Sequence, residues 1–451
     1  MTGFESNGQN TAGGGVAKSE VYDQPRQPMI RRRSFVSLWA SFILGVFADN
    51  LFRQALIIGI SFGRIPVAGF DNTDDALAII GSVFAIAIMV FAALAGQVAE
   101  RTDTAKIARR LKAIEFAIMA TAAVGFYLND GLLLIAALFA MGAQSAFFGP
   151  VRLTAMPKYF PPEDLLRANA LFNIGFFTAI LLGLAFGGAL IAAPNGGAVV
   201  SLILLASAGG GYIASRFLPP APADAPDLKM RWNVPLQAIS IIRTAFKVPG
   251  EAAALLGLAL FYFVSTFVTV VIPLYVRDTL GAGEGAATAI MGLFAIGSGL
   301  GAIFASLLAR GRTGLGFAGA GVIGAGIVSV VIFFLTDAVV GVPPFSTPSW
   351  AILATCFTAT AASLGLYVAP LQAAIQRRAP SMTRARIMAA LIMLNAAAAT
   401  LGSLSVLFVT RGIVSTAGAF IAIAVVFFST GLIMAIRLRL LPKGAFEDLK
   451  R

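Results

Sequence analysis

Asp49 and Arg53 stand one helical turn apart within an apolar run, and they are the strongest chemical signal in the chain. A charged side chain at the centre of a bilayer costs roughly 2.5–3.5 kcal/mol on insertion scales, so it ordinarily faces a cavity or a partner. Residues four apart share a helix face. An acid and a base so placed either pair as a structural tether or line a polar path, and the residues alone leave both readings open. Asn50 adjoins them, and Ser41 and Gly45 extend their stripe. Other polar groups recur inside apolar runs. Gln144 and Ser145 lead to Gly149-Pro150-Val151-Arg152, followed by Arg167, Asn169 and Asn173, the two asparagines one turn apart. Tyr262, Ser265, Thr266, Thr269, Gln372, Gln376 and Asn395 mark the second half of the chain. Such groups either meet a polar solute or bind helix to helix. Lys112 precedes Glu115 by one turn, and a local pair is expected there.

None of these residues forms a catalytic constellation. The chain has no histidine, which excludes a His-dependent triad, a His-ligated metal and a His proton relay. The lone Cys356 lies in an apolar run, so no intrachain disulfide or thiolate cluster can form. No metal, no cofactor and no enzymatic activity are expected. At 58% apolar and 12% charged, the composition is far from that of a soluble protein.

The elements that must position the polar groups are twelve apolar runs, near 35–63, 75–99, 105–128, 131–157, 165–193, 197–217, 251–276, 285–309, 314–337, 349–376, 384–409 and 413–436. About 20 apolar residues cross a hydrocarbon core as a helix, and lipid tolerates no unpaired backbone amide, so the fold class expected is an all-α membrane protein. The even-numbered connections and both tails carry almost all the basic residues. Of 33 Lys and Arg, only Arg53, Arg64, Arg277 and Arg411 fall elsewhere, with Lys112 counted on the basic side. The positive-inside rule then predicts that both termini are cytoplasmic. The formal charge of +12 is this topology signal and requires no nucleic acid.

The runs divide six and six. The expected organisation is a flexible cytoplasmic tail at 1–34, a six-helix half at 35–217, a cytoplasmic linker at 218–250, a second half at 251–440 and a tail at 441–451. The linker opens with Pro219, Pro220, Pro222 and Pro226 and then turns amphipathic, with Leu236, Ile239, Ile242 and Phe246 set against Arg243 and Lys247. That stretch is read as a short helix, lying on the lipid surface or packed under the bundle. The halves echo each other at nearly constant separation: Pro150 and Pro370, Ala170-Leu171 and Ala390-Leu391, Gly81 before Phe84-Ala85-Ile86 and Gly292 before Phe294-Ala295-Ile296. Parallel six-span repeats are the plan of facilitator transporters. The connection Glu100, Arg101, Asp103, Lys106, Arg109 and Arg110 mixes acid and base, and reads as a latch between helix ends that opens and closes in a transport cycle, or as topology charge alone.

Gly96 to Arg110 resembles a degenerate form of the major facilitator loop signature, with Glu100-Arg101 where Asp-Arg is usual. More specifically, the chain resembles the bacterial lysophospholipid transporter branch of that superfamily, above all the version fused to glycerophospholipid acyltransferase domains. The resemblance rests on Phe47-Ala48-Asp49-Asn50-Leu51-Phe52-Arg53-Gln54-Ala55-Leu56 in the first span. It continues through Phe148-Gly149-Pro150-Val151-Arg152, Asn169-Ala170-Leu171, Ala179-Ile180-Leu181-Leu182-Gly183, Pro370-Leu371-Gln372-Ala373 and Gln376-Arg377-Arg378-Ala379-Pro380. Leu391-Ile392 stand where that branch often has two asparagines. No acyltransferase segment follows Arg451, so a stand-alone transporter or the transporter part of a fusion is expected. The resemblance implies a protein of the bacterial inner membrane that moves lysophospholipid, such as lysophosphatidylethanolamine, from the outer to the inner leaflet for re-acylation. It also implies a functional link to an acyltransferase. Asp49, Asn50, Arg53, Gln144, Arg152, Asn169, Asn173, Gln372 and Asn395 are the candidate substrate contacts, and Glu100, Arg101, Asp103, Arg109 and Arg110 the candidate gating residues. Two other functions fit the residues: an ion-coupled facilitator for a small polar solute or drug with Asp49 titrating, and a non-transporting anchor for a separate lipid enzyme. The topology is directly testable. An enzyme reporter fused at Asn195, or between Thr336 and Val342, is expected to report the periplasmic side, and cytoplasmic activity at either point would remove the twelve-span arrangement.

Overall fold

The computed structural model describes residues 31–440, apart from 71–72, 161, 224, 228–229, 231–232, 248–250, 310–314 and 379–383. Its first half comprises α1 (Arg33–Ser61), α2 (Thr73–Arg101), α3 (Thr104–Leu128), α4 (Gly131–Tyr159), α5 (Pro162–Ala192) and α6 (Gly196–Arg216). The linker helix is α7 (Val234–Phe246). The second half comprises α8 (Glu251–Leu274), α9 (Glu284–Ala309), α10 (Leu315–Leu335), α11 (Pro348–Arg378), α12 (Arg384–Leu404), the single turn α13 (Leu407–Thr410) and α14 (Gly418–Leu440). Among the described residues, eleven helices are long and apolar enough to cross a bilayer. The 23-residue α14, apolar over Gly418–Met434, is the twelfth long helix.

Local chemistry sets the ends. Asp103 accepts from the Lys106 amide and Asp130 from those of Leu132 and Leu133, which starts α3 and α4. Asn129, in the left-handed conformation, ends α3. Pro273 removes a backbone donor near the end of α8, and a π-helical turn at Tyr275–Thr279 follows it. The eleventh span, expected as one helix over 384–409, breaks after Leu404 and resumes as α13, and Gly412 at φ +72° turns the chain towards α14. Lys112, counted with the basic connections, instead sits within α3 at 1% exposure, where Glu115 neutralises it.

Helix pairing repeats between the halves. In the first, α1 packs on α5, α2 on α4, and α3 on α6 and α4. The second pairs α8 with α12, α9 with α11, and α10 with α14 and α11. The halves meet through two equivalent pairs, α2 with α12 and α5 with α9. Close approach inside a half depends on small residues, because apolar side chains gain nothing by leaving lipid for protein and contact must come from backbone proximity. At Gly301 of α9 a Cβ would lie 1.9 Å from the Ala362 carbonyl oxygen of α11.

The linker is bound to the first half at its start. Ala221 donates to Asp103 and accepts from the Thr104 amide, Lys158 donates to the Pro222 carbonyl, and the Tyr159 hydroxyl donates to that of Pro219. Then α7 packs on the basic ends of α12 and α2, with Gln97 and Gln237 bonded at 3.0 Å. Leu236, Ile239 and Phe246 remain exposed, so α7 has one face under the bundle and an apolar edge outside it.

The halves are tied at the end away from the basic charge. Arg277, on the π-helical turn, donates to Asp74 at 2.7 Å and to the Ser61 carbonyl. Arg64 pairs with Glu284, whose bond holds the guanidinium above its ordinary pKa, and Arg411 lies 3.9 Å from Asp75. Thr410 donates to Asp75 at 2.6 Å, and Ser403 to the Ala78 carbonyl at 2.8 Å. The three basic residues found at the end away from the basic connections, Arg64, Arg277 and Arg411, all pair with an acid across the halves. The helix packing is open to a direct check. Gly301→Leu is expected to destabilise the protein by about 1–3 kcal/mol through overpacking, read as a lower melting temperature in detergent. Gly299→Leu, where a Cβ meets nothing within 4 Å, should leave the melting temperature nearly unchanged.

Candidate functional site

A cavity of about 340 Å³ opens within the first half. Helix α1 supplies Phe42, Gly45, Val46, Asp49, Asn50 and Arg53; α3 supplies Lys112 and Glu115; α4 supplies Met141, Gln144, Ser145, Phe148 and Gly149. Phe84 of α2 and Phe176 and Ile180 of α5 complete it. The pattern follows from helix periodicity: on α1 the lining residues recur every three or four positions, one stripe of the helix.

Four charges face this space. The Lys112 ammonium donates to Glu115 Oε2 at 2.7 Å and lies 4.5 Å from the centre of the Phe148 ring. Gln144 Nε2 donates to the same Glu115 oxygen at 3.0 Å. The Ser145 hydroxyl donates to Asp49 Oδ2 at 3.2 Å. Arg53 donates to Asn50 Oδ1 at 2.9 Å and its guanidinium lies over the Phe84 ring at 5.6 Å, while Asn50 donates to the Val46 carbonyl. Asp49 Oδ1 and Glu115 Oε1 are buried without a hydrogen-bond partner. Asp49 and Arg53 share the cavity but form no ion pair with each other among the described residues. Two acids and two bases therefore balance in charge around a wall of phenylalanines, and each acid keeps one buried oxygen without a hydrogen-bond partner.

Gly45 leaves room for the pair: a Cβ there would lie 2.3 Å from Lys112 Nζ and 3.0 Å from Glu115 Oε1, and the ends of both side chains would have to shift. Of the residues singled out in the sequence, Asp49, Asn50, Arg53 and Gln144 are brought together here. The side chains of Arg152, Asn169 and Asn173 lie outside the described residues. Gln372 is exposed, and Asn395 on α12 is half-buried with Oδ1 unpartnered; neither lines this cavity. Lys112 and Glu115 were expected to pair, but their place in the cavity was not foreseen. The available signal was their opposite charge at helical spacing inside an apolar run, the same signal that singled out Asp49 and Arg53.

The mixed-charge connection serves the linker. Asp103 caps α3 and accepts from Ala221, and Arg109 donates to the carbonyls of Ser215 and Leu218. The Glu100 carbonyl accepts from the Ala225 amide, while the Glu100, Arg101 and Arg110 side chains are exposed.

Two six-helix repeats, the first holding a polar cavity, define a membrane transporter of the facilitator type. A sequence model of the Major Facilitator Superfamily matches residues 33–403, and the chain belongs to that superfamily. It is similar to the lysophospholipid transporter LplT of Citrobacter koseri, with 26% identity over 351 residues, covering 77% of this chain and 80% of the relative. Among solved structures, a POT family transporter in complex with 5-aminolevulinic acid matches with a TM-score of 0.70 at 15% identity, covering 93% of this chain and 98% of that one. A bacterial homologue of the human lysosomal transporter Spinster, inward-facing and unoccupied, matches with a TM-score of 0.64 at 14% identity, covering 91% and 95%. These likenesses establish the shared fold.

The buried pair has an expected energetic signature. Glu115→Gln leaves the Lys112 ammonium without its anion and should destabilise the protein by about 3–5 kcal/mol. Adding Lys112→Met should recover most of that loss in a double-mutant cycle read by unfolding in detergent. A double variant whose loss equals the sum of the two single losses would mean that the two side chains contribute independently.

Proposed function

We propose that this chain transports lysophospholipid of the lysophosphatidylethanolamine type across the bacterial inner membrane, towards the cytoplasmic leaflet, by alternating access. The observation that carries the reading is the cavity with balanced charge and aromatic walls. A zwitterionic head group brings one phosphate and one amine, and Arg53 offers a planar fork to the phosphate while the unpartnered Asp49 oxygen accepts from the amine. The single tail can remain among the phenylalanines or in lipid. The similarity to LplT supports the same substrate class. In this reading the basic end, with both termini, is cytoplasmic. The ties at the other end then correspond to a state with the periplasmic route closed. Arg152, Asn169, Asn173, Gln372 and Asn395 extend the polar path in other steps of the cycle. Glu100, Arg101, Asp103, Arg109 and Arg110 govern opening at the cytoplasmic end through the linker. Re-acylation by an acyltransferase in the inner leaflet would remove the product and draw transport inward.

One observation favours a second reading. Asp49 and Glu115 each hold an unpartnered oxygen in the cavity, which fits a proton-coupled facilitator for a small polar solute. Uptake of head-group-labelled lysolipid into proteoliposomes separates the two. Arg53→Ala is expected to abolish it while the protein still inserts and elutes as a monodisperse species, and Arg53→Lys should retain part of the rate. Full uptake by Arg53→Ala would end the lysolipid reading of this cavity, and solute uptake driven by a pH gradient without lysolipid uptake would establish the second.

A further inference from the structure

A second cavity, of about 480 Å³, lies between α2 and α3. Its origin is in the helix pairing. Only Thr102 and Asp103 separate these two helices in sequence, yet they make almost no contact with each other, because each packs on α4 instead. The wedge between them is floored by α4, where Ala143 keeps it deep and Phe147 closes one end. Val98 forms one wall, and Ile107, Ile114 and Ile118 the other. Ile114 is half exposed, so the groove opens sideways along a membrane-spanning helix.

The groove is largely apolar, with Thr102 and Arg110 at its basic end and Gln144 on its floor. Lys106, one turn nearer the helix end on the same face, is also exposed, as is Arg101 beside Thr102. A cleft of this size falls within the range of about 300–1,000 Å³ that holds small ligands, and its walls offer almost nothing to water. Long basic side chains at the end of a spanning helix reach the depth of lipid phosphates. We infer that this groove holds one acyl chain of an anionic phospholipid from the leaflet on the basic side, with its phosphate on Arg110. The occupant's hydrocarbon matches the walls, and its charge matches the rim. Gln144 lines both this groove and the inner cavity, where it donates to Glu115, so the lipid presses on the wall that carries the Lys112–Glu115 pair. The inference depends on membrane embedding and is independent of which substrate the inner cavity takes.

The test uses the purified full chain in nanodiscs that contain phosphatidylglycerol with a photoactivatable group at mid-chain, and maps the adducts by mass spectrometry. Adducts are expected to concentrate at residues 98–118 and 140–147, and unlabelled phosphatidylglycerol should compete better than unlabelled phosphatidylcholine. Arg110→Gln should reduce them about tenfold, the change expected for one lost charge-assisted contact. Ile114→Trp, at a half-exposed position on the groove wall, should also remove them while the melting temperature stays unchanged. Should that variant prove unstable, Arg110→Gln decides alone, since its side chain is exposed. Adducts spread evenly over the lipid-facing helices, or unaltered in Arg110→Gln, mean annular lipid only and overturn the inference. Equal competition by the two lipids overturns the assignment of the head group.

Discussion

Charge buried in an apolar bundle must be answered by charge, and the first half of this protein is arranged around that constraint. Lys112 and Glu115 have almost no exposure. Either alone would cost several kcal/mol. Their pairing is accommodated by Phe148 beside the ammonium, Gln144 on the carboxylate, and a glycine on α1 at position 45. Those three conditions set how α1, α3 and α4 approach one another. Asp49 and Arg53 then find a cavity already polar at one wall, which is why they can stand apart rather than neutralise each other directly.

Close helix packing holds each half, and between the halves exposed ion pairs are added to it. Inside the second half, α9 and α11 lie so close at Gly301 that a single added carbon would strike backbone. Contact of that kind has no intermediate position and holds the helices as one body. Between the halves, at the end away from the basic charge, the ties include half-exposed ion pairs such as Arg277 with Asp74 and Arg64 with Glu284. Exposed ion pairs are worth only about 0–1 kcal/mol each, because water replaces either partner readily. A transporter that rocks one half against the other needs rigid halves and exchangeable ties, and the residues are distributed accordingly. The positive-inside pattern is broken at Arg64, Arg277 and Arg411 for this reason: each answers an acid of the opposite half or of its facing connection.

The linker shows the same economy. Its proline-rich start has few amides to pair, and those of Ala221 and Ala225 are satisfied by Asp103 and by the Glu100 carbonyl of the first half. Its helix then leans on α12 of the second half. Loop charges that read from sequence as a latch between helix ends are thus engaged with the segment that joins the two bodies.

What the chain determined by itself is what lipid imposes locally. Twelve long helices, two repeats and the gathering of basic charge at one end follow from run length, backbone satisfaction and charge placement, none of which needs a neighbour. Asp49 and Arg53 were legible for the same reason, since charge within an apolar run demands an answer wherever it falls. The identity of that answer was decided only by tertiary packing. Lys112 looked like one more basic residue near a connection, and its burial depends on how α3 sits against α1 and α4. Gln372 and Asn395 had the same polar signal as Gln144, yet the cavity is walled by helices of the first half and the other two lie on α11 and α12 of the second. The break after Leu404 and the groove between α2 and α3 were equally hidden, because both depend on how the helices pack on one another. Composition and periodicity specify that a helix spans and which residues share a face; only the packed bundle specifies what that face meets.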